Sequence, residues 1–246
     1  NDTFFCLNKH IKLSPNTFFS EFLPKVTHRI KSDYKANWCA VRQKRRKMHE
    51  AYLKTIPFSD FSVFNSLLKS LPKQSQLQVG NSSAIRYTQL FQLRKSIDVF
   101  CNRGTSGIDG STSTAIGAAI VVKKRITFIT GDLSFFYDSN ALWNNYIPKN
   151  FRIIVVNNEG GGIFRILPGH KNTDNFDTYF ETKHHLTSEQ LSEMYGLEYH
   201  KASDEITLGE ELKSFYDTSK KPKLLEVFTP SRLNDDILLD YFKFIK

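Results

Sequence analysis

Ile126-Thr127-Phe128-Ile129-Thr130-Gly131-Asp132-Leu133-Ser134 and, further along, Arg152-Ile153-Ile154-Val155-Val156-Asn157-Asn158-Glu159-Gly160 decide the fold. Each opens with a short β-rich apolar run and closes in a polar, glycine-bearing turn. Short β-rich runs that alternate with helical stretches are the mark of a parallel sheet covered on both faces.

Outward from these two runs the same rhythm continues. Strands are expected at residues 76–79, 97–101, 197–200 and 224–228, and helices at 60–70, 82–93, 111–122, 140–146, 188–195, 205–216 and 232–244. The predicted fold class is α/β, a parallel sheet of about six strands with helices on both faces, preceded by a mostly helical tail. Residues 1–24 read as irregular, with Pro15 and Pro24 as breakers. Residues 25–54 read as a helix, and 56–60 as a boundary where Ser59 or Asp60 can cap the next helix. The expected division is therefore a remnant and linker helix over 1–57 and one domain over 58–246.

Composition narrows the class. The chain has 246 residues, 40% of them hydrophobic, which excludes collagen-like, low-complexity and wholly disordered readings. The longest nearly apolar run, residues 115–122, is far short of the ~20 residues a membrane helix needs. Cys6, Cys39 and Cys101 lie far apart with no CxxC, so neither a disulfide framework nor a zinc site is expected, and a reducing cytoplasm is the default. The start at Asn1 has no signal-peptide character and reads like the interior of a longer protein. Of the net charge of +9, residues 25–54 carry +8, with ten Lys/Arg against Asp33 and Glu50. That run is either the solvated face of an amphipathic helix or a surface for nucleic acid, the helix being the plainer reading.

In a parallel sheet, ligands bind beyond the carboxyl ends of the strands. Four such ends are polar or glycine-rich: Gly80-Asn81-Ser82, Asn102-Arg103-Gly104, Gly131-Asp132-Leu133-Ser134 and Asn157-Asn158-Glu159-Gly160. Asp132 and Asn158 stand 26 residues apart. A carboxylate with an amide oxygen suits a hard cation that bridges to phosphate, although an Asp after a strand is by itself more often a turn residue.

Gly-Asp-x followed after about 26 residues by Asn-Asn resembles the thiamine diphosphate motif. The resemblance implies that Asp132, Asn158 and the carbonyl of Gly160 hold Mg²⁺ or Mn²⁺ against the cofactor diphosphate. Leu133 stands where the family's common form has a glycine. The flanking residues, Gly80-Asn81-Ser82 with Arg86, 102–110, 131–138 and 157–164, resemble the 2-succinyl-5-enolpyruvyl-6-hydroxy-3-cyclohexene-1-carboxylate synthases of menaquinone biosynthesis. The likeness is specific from about Val79 to Pro168. It implies decarboxylation of 2-oxoglutarate on thiamine diphosphate and addition of the resulting succinyl carbanion equivalent to isochorismate.

For the cofactor the resemblance implies Ser106, Gly107, Ile108, Gly131, Asp132, Leu133, Ser134, Asn158, Gly160, Gly161 and Ile163, with Ile108 propping its bent shape. For the dicarboxylate substrates it implies Ser82, Arg86 and Arg103, beside a hydrophobic wall of Ile163, Phe164 and Leu167. Position alone leaves Arg86 readable as a surface helix residue, and Leu167 as ordinary packing. The adjacent His184 and His185 read as surface or loop residues, not a metal pair, and the side-chain role of Glu159 stays open. The glutamate that faces the cofactor pyrimidine is expected in an N-terminal domain of a neighbouring subunit, in a homodimer or homotetramer, so this segment alone is expected to be inactive. The alternatives are an acetohydroxyacid-synthase-like or 2-oxoacid decarboxylase-like thiamine enzyme, against which the two arginines argue, and a non-catalytic basic module that binds nucleic acid.

Overall fold

The computed structural model describes residues 2–28, 31–167, 173 and 175–246. Arg29 of the basic segment and Pro168 at the end of the specific likeness lie outside these residues. Contacts divide the chain into units of residues 1–46 and 47–246.

The first unit holds helix α1 (Pro15–Phe22), a 3₁₀ turn (Leu23–Lys25) and the start of helix α2 (Tyr34–Leu53). The region expected to be irregular thus contains a helix. Ser14 caps it, its hydroxyl accepting from the Thr17 N–H at 3.1 Å, and Pro15 occupies the first helical position, where no N–H is needed. The basic helix starts at Tyr34, not at 25, because the Ser32 hydroxyl accepts the Tyr34 N–H there.

The second unit takes the end of α2, whose buried Tyr52 donates its hydroxyl to the Ile237 carbonyl at 2.6 Å. There follow α3 (Asp60–Ser70), β1 (Gln76–Val79), α4 (Ser83–Thr88), β2 (Asp98–Cys101), α5 (Ser111–Val121), β3 (Ile126–Gly131) and α6 (Asp132–Tyr137). Then come β4 (Arg152–Asn157), α7 (Glu189–Met194), β5 (Glu198–Ala202), α8 (Glu205–Ser214), β6 (Lys223–Phe228) and α9 (Asn234–Phe244). Among the described residues the strands form one six-stranded, all-parallel sheet in the order β2-β1-β3-β4-β6-β5.

Side chains along the central strands alternate between two cores. Ile153 and Val155 of β4 pack with Phe128, Ala115, Ile116 and Phe135. Ile154 and Val156 pack on the other face with Phe61, Phe64, Leu67 and Leu225. The period-2 alternation delivers apolar residues to both faces, so both must be covered by helices.

Three expected elements differ. The helix after β1 ends at Thr88 rather than 93, because the N–H groups of Leu90 and Phe91 close tight turns onto the carbonyls of Tyr87 and Thr88. Residues 140–146 are not a helix but a 3₁₀ turn (Ser139–Leu142) and a loop. There the Asn144 side chain donates to the Ala141 carbonyl and accepts the Tyr146 N–H, competing with a helical ladder. Helix α6 starts directly at the end of β3, where a loop was expected.

The chain leaves β1 for β2 on one side and returns to β3 on the other, which makes the gap beyond β1 and β3 a topological switch point. The approach is close: a Cβ on Gly80 would stand 2.6 Å from Thr130 Oγ1. Gly209, within α8, has open space around it. Thermal unfolding should separate the two. Gly80→Ala should lower the midpoint, whereas Gly209→Ala should raise it by about 2–4 °C, the gain of a helical alanine over glycine.

Candidate functional site

A cavity of about 410 Å³ opens at the switch point, within the usual range of small-molecule clefts. Its lining comes from the ends of β1, β3 and β4 and from the loop after β2.

Asp132 is the first residue of α6 and is buried. Its Oδ1 accepts the Leu133 N–H at 2.6 Å, and its Oδ2 accepts the N–H groups of Asn158 at 3.2 Å and Gly160 at 3.0 Å. The end of β3 is thus tied to the turn after β4. A Cβ on Gly160 would stand 2.7 Å from the Glu181 carbonyl oxygen, so only glycine lets that turn sit under residues 181–184. Asn158 donates its Nδ2 to Asp60 Oδ2 at 2.9 Å. The Asp60 Oδ1 accepts from Thr229 Oγ1 at 2.6 Å. Burial pushes the Asp60 carboxyl up to about 6, the hydrogen bonds from Thr229 and Asn158 only partly opposing it.

The loop after β2 is pinned twice. Asn81 Nδ2 donates to the Gly107 carbonyl at 3.0 Å, and Ser134 Oγ donates to the Ile108 carbonyl. Ile108 is held on the cavity wall between these anchors.

The expected residues Ser82, Arg86, Ser106, Gly107, Ile108, Gly131, Asp132, Leu133, Ser134, Asn158, Gly160, Gly161, Ile163, Phe164 and Leu167 all line this cavity. Arg103 is outside the lining; it is exposed, and its Nη1 reaches Asn81 Oδ1 at 3.3 Å. Arg86 lies on α4 with its Nη1 on the Ser82 carbonyl at 2.9 Å, exposed to solvent at the rim.

Two residues were not foreseen. His184 is a correction: it is not a surface residue. Residues 181–184 fold back on the β4 turn through Gly161 N–H to Glu181 O at 2.6 Å and His184 N–H to Glu159 O at 3.3 Å. The His184 side chain is 9% exposed, with Nε2 3.3 Å from Asp132 Oδ2, whereas His185 is 90% exposed. Adjacent side chains point apart, so one goes inward. Asp60 is the other. Ser59 is the N-cap of α3, and the Asp60 side chain reaches Asn158 instead. No short-range sequence signal links residues 60 and 158. Glu159 places Oε1 3.1 Å from His185 Nδ1, at the surface.

Three of the lining residues carry hard oxygens: the Asp132 carboxylate, the Asn158 amide oxygen and the Gly160 carbonyl, which also accepts the Gly162 N–H at 3.0 Å. Among the described residues there is no group of three His, Cys, Asp or Glu placed to hold a metal alone. Such a set fits a Mg²⁺-like ion that takes its remaining oxygens from a phosphate ligand. Gly131 has open space where a Cβ would stand and leaves its backbone open to the approach of that ligand, whereas at Gly160 and Gly161 that space is taken by the carbonyls of residues 180 and 181.

The family described as thiamine pyrophosphate enzyme, C-terminal TPP binding domain, matches residues 78–227. The chain belongs to this family. The cofactor is thiamine diphosphate. The chain is 59% identical over 98% of its length to a 2-succinyl-5-enolpyruvyl-6-hydroxy-3-cyclohexene-1-carboxylate synthase of Flavobacterium psychrophilum. It is 37% identical over its full length to the synthase of that name from Bacteroides thetaiotaomicron, and 36% identical over 99% to that from Porphyromonas gingivalis. It spans only 43–44% of the length of these relatives. No helix among the described residues is long and apolar enough to cross a membrane.

The buried Asp60 makes stability depend on pH. With its carboxyl near 6 when folded and near 3.8 when unfolded, the folded state binds more protons between these values. Stability therefore falls as pH rises through about 4 to 6, by roughly 2–3 kcal/mol for a shift of this size. Asp60→Asn should remove this part of the slope. Denaturant unfolding without metal, at pH 4.5 and 7.5, should show the variant gaining on the wild type at the higher pH.

Proposed function

We propose that the full-length protein is a 2-succinyl-5-enolpyruvyl-6-hydroxy-3-cyclohexene-1-carboxylate synthase, using 2-oxoglutarate as donor and isochorismate as acceptor. The observation that carries the reading is the union, on one cavity, of the Asp132–Asn158–Gly160 oxygen set with Arg86 and the apolar wall of Ile163, Phe164 and Leu167. The names of the relatives support it. A pyruvate-type donor would need fewer cationic partners, which disfavours the acetohydroxyacid-synthase-like and decarboxylase-like alternatives.

Asp132, the Asn158 amide oxygen and the Gly160 carbonyl would hold Mg²⁺ or Mn²⁺, which would neutralise the charge of the cofactor diphosphate. Thiamine diphosphate, when bound, supplies the electron sink for decarboxylation. Ile108, on its pinned loop at the cavity wall, would give the cofactor an apolar support and so help orient it. Arg86 offers a planar guanidinium at the rim, suited to bidentate capture of a substrate carboxylate. Arg103, whose Nη1 reaches Asn81 Oδ1, adds positive charge at the end of the neighbouring strand β2, and Ser82 offers a hydroxyl partner. Ile163, Phe164 and Leu167 exclude water on the substrate side, which strengthens those electrostatic contacts. The pyrimidine-facing glutamate comes from the part of the protein outside this chain, in a cytoplasmic homo-oligomer, with residues 58–246 as the diphosphate-binding domain.

The direct test is the full-length protein supplied with thiamine diphosphate, Mg²⁺, 2-oxoglutarate and isochorismate, with CO₂ release and product followed by chromatography. Turnover of pyruvate in preference to 2-oxoglutarate would overturn the reading. Asp132→Ala should abolish turnover even at saturating Mg²⁺ and cofactor. Arg86→Ala should lower kcat/KM for a dicarboxylate substrate by roughly 10-fold or more, while thiamine diphosphate affinity changes less than about 3-fold.

A further inference from the structure

Asp60 lies outside the residues that the family matches, on a helix that contributes no residue to the lining of the main cavity. It is nonetheless one of the most deeply buried carboxylates near the site, 2% exposed. Burying a carboxylate is costly unless every oxygen is engaged. Here Oδ1 accepts from Thr229 and Oδ2 from Asn158. The Asp60 N–H donates to Asn234 Oδ1 at 2.8 Å, and Asn234 Nδ2 donates in turn to the Pro230 carbonyl at 2.9 Å. The Thr229 N–H donates to the Asn157 carbonyl at 2.9 Å. The carboxylate is thus bracketed between the ends of β4 and β6.

The identity of the group matters more than its position. An ionised carboxylate can only accept, so the amide end facing it must be the NH₂. Asn158 borders both the main cavity and a water-sized space of about 20 Å³ behind it, which Asp60 also lines. With Nδ2 turned back to Asp60, the amide oxygen is left for the cavity. An uncharged amide at position 60 would not enforce this. It could accept the Thr229 hydroxyl with its oxygen and donate its own NH₂ to a reversed Asn158, every bond remaining satisfied.

We propose that Asp60 is a positioning residue: its carboxylate fixes the Asn158 amide with the oxygen toward the cavity and so prepares the divalent-cation site. This rests on the reading of Asn158 as a cation ligand. It also accounts for a destabilising buried charge where an asparagine would pack equally well.

The test is Mn²⁺ titration of the full-length protein by electron paramagnetic resonance, at saturating thiamine diphosphate and pH 7.5. The proteins compared are wild type, Asp60→Asn, Asn158→Ala and the double variant. Asp60→Asn is expected to weaken Mn²⁺ binding about 10–100-fold, the usual effect of losing a group that orients a ligand. Its thermal midpoint should stay the same or rise. In the Asn158→Ala background the same change should alter Mn²⁺ affinity less than about 2-fold, since Asp60 acts through that amide. Wild-type affinity in Asp60→Asn, with affinity lost in Asn158→Ala, would overturn the positioning role and leave the cation site standing. Unchanged affinity in Asn158→Ala would overturn the cation reading and the proposal with it. An equal loss in both backgrounds, or a loss accompanied by a lower thermal midpoint, would make Asp60 merely structural.

Discussion

The carboxylate of Asp132 is the tie on which the site depends. A parallel sheet leaves a row of backbone groups without ladder partners beyond its carboxyl edge, and buried ones must find partners elsewhere. At the gap between β3 and β4, one side chain supplies them. Asp132 takes the N–H groups of Leu133, Asn158 and Gly160, and these fix both the start of α6 and the turn after β4. Because the turn is fixed, the Gly160 carbonyl and the Asn158 side chain have defined places. Residues 181–184 can then lie on the turn and bring His184 up to the same carboxylate.

The two adjacent asparagines show how strand geometry divides labour. Asn157 is the last residue of β4 and sends Nδ2 to Glu226 Oε1 at 2.8 Å on the neighbouring strand β6. Glu226 is fully buried and also gathers the Thr187 and Tyr199 hydroxyls and the Ser188 N–H. This network anchors the segment that follows His184. Asn158, one residue on, faces the other way, to the cavity and Asp60. Alternation along a strand assigns one amide to support and the next to the ligand.

The sheet and the polar strand ends were legible because burial on both faces demands continuous apolar runs, and polar residues stand out where those runs stop. All four strand-end loops were read this way, and they meet at one edge. Local competition was harder to read. Pro15 looked like a breaker, yet after Ser14 it is a helix initiator. Asn144 dissolved an expected helix through bonds to its own neighbours. Long-range polar partners left no trace at all. Ser59 and Asp60 read as alternative helix caps, and only the fold, by setting α3 beside the ends of β4 and β6, shows that Ser59 caps and that the Asp60 side chain reaches Asn158. His184 was misread because adjacency along a chain says nothing about which of two side chains turns inward.

The backbone at the rim is strained at three residues. Ser82, Ser106 and Glu159 all have left-handed φ values, 69°, 65° and 63°, and they lie in three of the four strand-end loops. Non-glycine residues pay of order 1–3 kcal/mol for such conformations and keep them only where surroundings dictate. Here the surroundings are specific. The Ser82 carbonyl accepts from Arg86, the Ser106 N–H donates to the Arg103 carbonyl at 2.8 Å, and the Glu159 N–H donates to Asn157 Oδ1 at 3.1 Å. The bonding groups are the Arg86 guanidinium, the Arg103 main-chain carbonyl and the Asn157 amide oxygen. A loop that relaxed to an unstrained path would therefore break the bond that Ser82 makes to the Arg86 side chain or that Glu159 makes to the Asn157 side chain. Strain and arrangement hold each other, so the polar groups are set before any ligand arrives, which is what lowers the cost of orienting it.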